Sequence, residues 1–307
     1  MTGIVILLAT RNGERFLQAQ LDSILGQSHR DWRLVVSDDA STDRTRQIVD
    51  AAARGLPSGQ ITRLDGPGQG ATMNFCSLLR RTDPAGDHLA FCDQDDVWEA
   101  DHLARAVQIL KPVSGGAAVY GCRMRICGAD LRQTGLSPLP RRPLGFRNAL
   151  VQNVLSGNTM VLTPAAARLL RAAETEAGPG MPLHDWWAYQ LITGAGGAAI
   201  LDERPGLYYR QHGGNVIGAH RGFSGLKARL RRHLGGAYRQ LAERNCAALS
   251  ASAARLTEEN RRVLVDFTRA LALPWPRGIA ALRQSGVYHQ SPQARTAFWL
   301  SAATGRF

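Results

Sequence analysis

The chain has 307 residues, 44% of them hydrophobic, enough for an ordinary buried core in one large α/β domain or two small ones, which excludes a disordered protein. Its formal charge of +12 is unevenly spread: residues 1–110 hold 11 basic and 15 acidic side chains, residues 111–220 hold 11 and 6, and residues 221–307 hold 15 and 4. That distribution argues against a uniform basic groove for nucleic acid, and Cys76, Cys92, Cys122, Cys127 and Cys246 show neither a CxxC pair nor zinc-like spacing.

The first apolar run, Ile4 to Ala9, is too short for a signal-peptide core, and no stretch approaches the roughly 18 apolar residues of a membrane span. The expectation is a cytoplasmic protein, soluble or peripheral on the inner face of the membrane. Gly3–Ala9, Arg33–Ser37, Ile61–Leu64 and His88–Cys92 read as short buried strands. Helical patterns separate them at Arg15–Leu25, Thr42–Ala53, Ala71–Arg81 and Ala100–Leu110, an alternation that predicts parallel βαβ units. Further strands are expected at Ala117–Met124, Asn158–Leu162, Ala198–Leu201 and Gly206–Arg210, with helices at Pro164–Ala173 and His184–Ile192. From Gly222 the pattern turns helical and basic. Phe223, Leu226, Leu230, Leu234, Tyr238 and Leu241 recur at helical spacing among Lys227, Arg229, Arg231, Arg232 and Arg239. This suits docking on an anionic membrane and equally a helix packed on the domain with a solvated Arg face.

Chemistry concentrates where strands end. His88–Cys92 runs into Asp93-Gln94-Asp95-Asp96-Val97-Trp98, three carboxylates at the carboxyl end of an apolar strand, where open α/β sheets bind ligands. Such a cluster repels itself unless a cation or polar ligand is present, and hard oxygen donors suit Mg²⁺ or Mn²⁺. The plain alternative is an acidic turn ahead of the helix near Ala100. Asp38-Asp39 end the second strand, followed by Ser41 and Asp43 with good N-cap chemistry.

Four segments together resemble glycosyltransferase family 2, the inverting GT-A transferases, especially its rhamnosyltransferase-like branch. They are Ile6–Leu17 with Leu21, Ser23, Ile24, Gln27 and Ser28; Val35–Asp43; Phe91–Trp98; and His184-Asp185-Trp186-Trp187 with Tyr209-Arg210-Gln211-His212-Gly213-Gly214-Asn215. The resemblance implies a GT-A fold, a Rossmann-like, mostly parallel sheet flanked by helices. Residues 1–115 would form the nucleotide-sugar half, 116–220 the acceptor and catalytic half, and 221–307 a basic helical extension.

The resemblance also implies roles. Thr10, Arg11, Asn12 and Glu14 would lie along the nucleotide, with Arg11 standing where many relatives carry Tyr. Asp39, or failing it Asp38, would accept the imide N–H of a pyrimidine, a task suited to an acceptor-only carboxylate. Asn74, Gln94 and Arg210 would contact the donor, Arg210 through phosphate. Asp93 would meet ribose or metal-bound water, and Asp95 with His212 would hold Mn²⁺ or Mg²⁺ on the diphosphate, leaving Asp96 to anchor the loop. Asp185 would be the catalytic base, with Trp186 or Trp187 as an acceptor-sugar platform and Ser156-Gly157-Asn158 bordering the donor sugar. The implied reaction moves a sugar, plausibly rhamnose, from a dTDP- or UDP-linked donor to a glycan or polyprenyl-diphosphate-linked saccharide in O-antigen-like surface polysaccharide synthesis. Competing classes are a metal-dependent phosphohydrolase, which needs neither Asp39 nor Asp185, and a non-catalytic membrane- or nucleic-acid-binding protein built on the tail.

Overall fold

In the computed structural model, which describes residues 3–113, 115–213, 237–274 and 276–303, the N-terminal region builds the four predicted parallel strands. β1 (Ile4–Thr10), β2 (Trp32–Asp38), β3 (Ile61–Asp65) and β4 (His88–Cys92) lie in the order β3-β2-β1-β4. The register sets Thr10 beside Asp38 and Asp38 beside Asp65, so polar strand ends gather on one edge. β1 and β4 are almost wholly buried, as continuous apolar runs in a sheet covered on both faces must be. Helices α1 (Leu17–Leu25), α2 (Thr45–Ala53) and α3 (Ala71–Arg81) make the crossovers. α1 buries Leu17, Gln20, Leu21 and Ile24, one stripe at helical spacing.

Beyond β4 the sheet becomes mixed. β8 (Val161–Leu162) runs antiparallel to both β4 and β6 (Ala118–Cys127), and β6 pairs in parallel with β9 (Ala198–Arg210). Two strands escaped the sequence pattern: β5 (Val97–Trp98), antiparallel to β9, and β7 (Gln133–Leu136), antiparallel to β6. The two strands expected at 198–201 and 206–210 are one, with a break in register after Asp202. Pro205 has no N–H for the ladder there, and Asp202 accepts the backbone N–H of Arg204 instead. Helix α4 (His102–Leu110) covers this half.

The chain forms two compact units. One comprises residues 1–139, 155–175 and 197–215 and carries the whole sheet. Helix α6 begins in it at Pro164 and continues to Ala177; its buried Glu174 receives both Nε and a terminal nitrogen of Arg80. The other comprises residues 140–154, 176–196 and 216–307. It is helical where described: α5 (Phe146–Ala149), α7 (His184–Gly194), and the segments Ala237–Ala251, Glu258–Ala272, Arg277–Ser285 and Pro292–Ala303. Thr257 caps Glu258–Ala272 by accepting the N–H of Asn260. Phe223, Leu226, Leu230 and Leu234 of the expected basic helix, with Lys227, Arg229, Arg231 and Arg232, lie outside the described residues, as do Gly214 and Asn215. Tyr238 lies within them, buried, its hydroxyl donating to the carbonyl of Val151. No helix among the described residues is long and apolar enough to cross a membrane.

Candidate active site

The loops after β1 and β2 are cross-braced. Thr10 Oγ1 donates to Asp38 Oδ1 at 3.1 Å, and Asp38 also accepts Ser41 and, at 2.6 Å, Arg46 Nε. Burial works against its charge, but these donors outweigh it and hold the carboxyl below the usual range. Asn12, at φ 48°, receives the N–H of Thr42 and gives its own N–H to Ser41 Oγ. The N–H of Glu14 meets Asp43, and its carboxylate takes the N–H of Arg44. Asn12 and Glu14 thus tie this loop to the neighbouring one. α2 starts at Thr45 rather than Thr42, because Asp43 is occupied by the N–H and hydroxyl of Thr45.

Gln94 clamps this loop to the acidic turn. Its Oε1 accepts the N–H of Arg11 at 2.9 Å and its Nε2 donates to the Arg11 carbonyl at 3.0 Å, like one rung of a ladder. A Cβ at position 13 would collide with that amide, so glycine is required there for space. Gln94 thus braces the Arg11 loop against the acidic turn. Asn74 is buried and bonds both the hydroxyl and the carbonyl of Ser37. Asp39 accepts the N–H groups of Gly68 and Gly70, fastening the glycine-rich loop over the strand end. The guanidinium of Arg11, 59% exposed, stands 3.9 Å from Asp39.

β5 explains the second cluster. Pairing of Val97 with Tyr208 brings the acidic turn alongside the last residues of β9. Asp96, 0% exposed, accepts the backbone N–H of Arg210 at 3.1 Å and the side-chain amide of Asn158. Burial raises its carboxyl, to about 7, with the Asp95 charge adding and Asn158 and Arg210 opposing. Arg210 is 4% exposed; its Nε donates to the carbonyl of Asp95 and its Nη1 to that of Ala129. The guanidinium, buried on these backbone carbonyls, shapes the turn. Its plane lies over Phe16, whose ring is 4.8 Å from that of His212. His212 Nε2 then meets Asp95 Oδ2 at 2.8 Å. Asp93 is half-buried at the mouth of β4.

Asp95 and His212 fit a small divalent cation. Two ligands at about 2.0–2.1 Å from one ion, set at right angles, stand about 3 Å apart. Among the described residues no group of three or more His, Cys, Asp or Glu side chains forms a metal cage. A two-donor corner suits an ion that keeps most positions for water and phosphate oxygens.

In the helical unit, Asp185 is the second residue of α7 and half-buried. Its Oδ1 accepts the N–H of Trp186 at 2.7 Å and its Oδ2 the side-chain amide of Asn153 at 2.9 Å. His184 beside it is buried, which pushes its imidazole down to about 4. Trp187 is 0% and Trp186 5% exposed, and the Trp186 indole N–H donates to the Ala149 carbonyl. Both indoles, expected as an acceptor platform, are packed among buried residues of the helical unit. Asn153 was missed by the sequence reading, since it sits in no motif; Phe16 lies at the end of the first motif but was given no role there.

Residues 5–175 match the family model described as Glycosyl transferase family 2. The chain is 28% identical over 232 residues to the dTDP-rhamnosyl transferase RfbG of Shigella flexneri, covering 73% of this chain and 78% of that one. Among solved structures, S. aureus TarS 1–349 in complex with UDP-GlcNAc is similar at a TM-score of 0.56 and 16% identity, over 99% of this chain and 91% of that one. The Pyrobaculum calidifontis mannosyltransferase PcManGT with GDP-Man and Mn²⁺ is similar at a TM-score of 0.51 and 19% identity, over 99% and 87%. At such identities the structural likenesses establish the fold, a mixed sheet flanked by helices.

Proposed function

The chain belongs to glycosyltransferase family 2, and from that premise we propose that it moves rhamnose from a dTDP-linked donor, or a related sugar from a UDP-linked one, to a lipid-linked saccharide. That it is a glycosyltransferase using a nucleotide-sugar follows from the family. The rhamnose and dTDP assignment is supported by the Shigella flexneri relative, most of whose length the chain covers. A place in bacterial surface polysaccharide synthesis is supported by a relative named for teichuronic acid biosynthesis, and a glycan or polyprenyl-diphosphate-linked acceptor by one named for a diphosphoundecaprenol-linked acceptor.

The observation that carries the reading is the Asp95 and His212 pair at the sheet edge. These two residues would hold Mn²⁺ or Mg²⁺, which supplies charge neutralisation to the departing diphosphate. Asp39 faces the base, with Arg11 beside it. Thr10 keeps Asp38 in place, and Asn12, Glu14, Gln94 and Asn74 hold the loops that shape the nucleotide groove. In the transfer, the acceptor hydroxyl oxygen bonds to the anomeric carbon from the face opposite the diphosphate. The carbon–oxygen bond to phosphate breaks, the nucleoside diphosphate leaves with the electron pair, and Asp185 takes the hydroxyl proton. The configuration at the anomeric carbon is inverted.

Residues 221–307, with 15 basic and 4 acidic side chains, support attachment to an anionic membrane surface, where a lipid-linked acceptor would be found. Cosedimentation with phosphatidylglycerol vesicles, lost at high salt, checks this.

The experiment for the reaction supplies dTDP-rhamnose and UDP-sugars with lipid-linked saccharides to wild type and Asp185→Asn. Wild type is expected to yield glycosylated lipid and free nucleoside diphosphate in equal amounts; the variant is expected to bind donor and not transfer. Diphosphate release without glycosylated product would point to the hydrolase instead.

A further inference from the structure

We infer that Asn153 is the positioning residue of the Asp185 carboxylate, holding one oxygen while the helix backbone holds the other. The inference rests on the reading of Asp185 as the base. A carboxylate on a free aspartate turns over a broad range about its last torsion. Here each oxygen takes one donor from a different segment, Trp186 N–H within α7 and Asn153 Nδ2 from the chain after α5. Two tethers on different oxygens fix the carboxylate plane.

Asn153 is itself firmly placed. The Gln152 N–H donates to the Asn148 carbonyl, and Gln152 Oε1 accepts the N–H of Gln290. The Val151 carbonyl accepts the buried Tyr238 hydroxyl at 2.7 Å. The asparagine's donor faces Asp185 because a carboxylate can only accept. Its own Oδ1 is buried with no hydrogen-bond partner among the described residues. Burying an unmatched acceptor is unfavourable, so the amide at this position is explained by its N–H and not by its carbonyl. Helix capping does not account for it either, because Trp186 N–H already supplies the helix-side contact.

The test uses the full chain with Asn153→Ala, Asn153→Asp and Asp185→Asn, measuring kcat, donor KM and metal-dependent nucleotide affinity. Misplacing a reacting group by about 1 Å can cost about 100-fold, so Asn153→Ala is expected to lower kcat by roughly 10- to 100-fold while donor KM and nucleotide affinity stay at wild-type values. Asn153→Asp keeps the volume and removes the donor; it is expected to fall at least as far, and it reads the same quantity should the alanine variant not fold. Wild-type kcat in either Asn153 variant, with Asp185→Asn inactive, overturns the inference and spares the base assignment. A parallel loss of nucleotide affinity in the Asn153 variants marks a merely structural role and also overturns it. Wild-type kcat in Asp185→Asn removes the base assignment and the inference with it.

Discussion

The carboxylates at the end of β2 and those at the end of β4 lie on the same edge of one sheet, yet they are balanced in opposite ways. Asp38 is saturated by Thr10, Ser41 and Arg46, and Asp39 by two backbone N–H groups with Arg11 nearby. After β4, three carboxylates fall within four residues. The buried guanidinium of Arg210 beside them donates to backbone carbonyls. Asp95 instead meets His212. The two strand ends thus differ in what meets their acids: hydroxyls, backbone N–H groups and a guanidinium at β2, and an imidazole on Asp95 at β4.

That contrast can be broken first at Asp38. Asp38→Ala strands the buried donor on Thr10 and the half-buried one on Ser41 and is expected to cost about 1–3 kcal/mol at pH 7, with Arg46 adding little because it is partly exposed. The folded carboxyl lies below its ordinary 3.8, so its contribution is present above that value and lost as pH falls through the folded value. Urea unfolding at pH 7 and near pH 3 should show the gap between wild type and variant closing in acid.

Acid sensitivity should instead come from beneath the β4 corner. His102 is fully buried between Trp98 and Tyr120, and burial, then Arg105, push its imidazole down to about 3 from 6.5. Below pH 6.5 the unfolded chain takes a proton that the folded one refuses until about pH 3. Stability is therefore lost as pH falls through that window, by up to about 1.4 kcal/mol per pH unit. His102→Phe should flatten this slope in urea melts between pH 6.5 and 5.5; an unchanged slope would place the sensitivity elsewhere.

Arg11→Ala should change stability by less than about 0.5 kcal/mol, since a pair at 3.9 Å with an exposed guanidinium is screened by water. Asp95→Asn is expected to have the smallest effect on unliganded stability, within about 0.5 kcal/mol of wild type, because it removes a charge from a crowded turn. A large loss of unliganded stability in Asp95→Asn would mean that the β4 turn is as saturated as the β2 end.

The parallel half of the sheet was legible because apolar runs such as Ile4–Leu8 and His88–Cys92 alternate with helical stripes; His88–Cys92 and Ala71–Arg81 match the sequence reading residue for residue. β5 was not, since two residues make no period, and β7, Gln133-Thr134-Gly135-Leu136, has little β-forming character. The acidic turn and its meeting with His212 were legible through motif order. Partners were not: Gln94 with Arg11, or Asn12 with Ser41, are set by β-strand register across 83 and 29 residues, and nothing local encodes them. The burial of the paired tryptophans was not legible for a similar reason, as an indole next to a candidate base reads alike whether it faces substrate or core.

The most direct test of the account is thermal unfolding of wild type and Asp95→Ala with UDP, dTDP, GDP and ADP, each in Mn²⁺ and in EDTA. A nucleotide at about 100 times its Kd adds roughly 2.7 kcal/mol to the folded state. The account predicts a rise in Tm confined to UDP or dTDP, present only with metal, and absent in Asp95→Ala. Equal shifts for all four nucleotides in EDTA, or a full shift in Asp95→Ala, would contradict it.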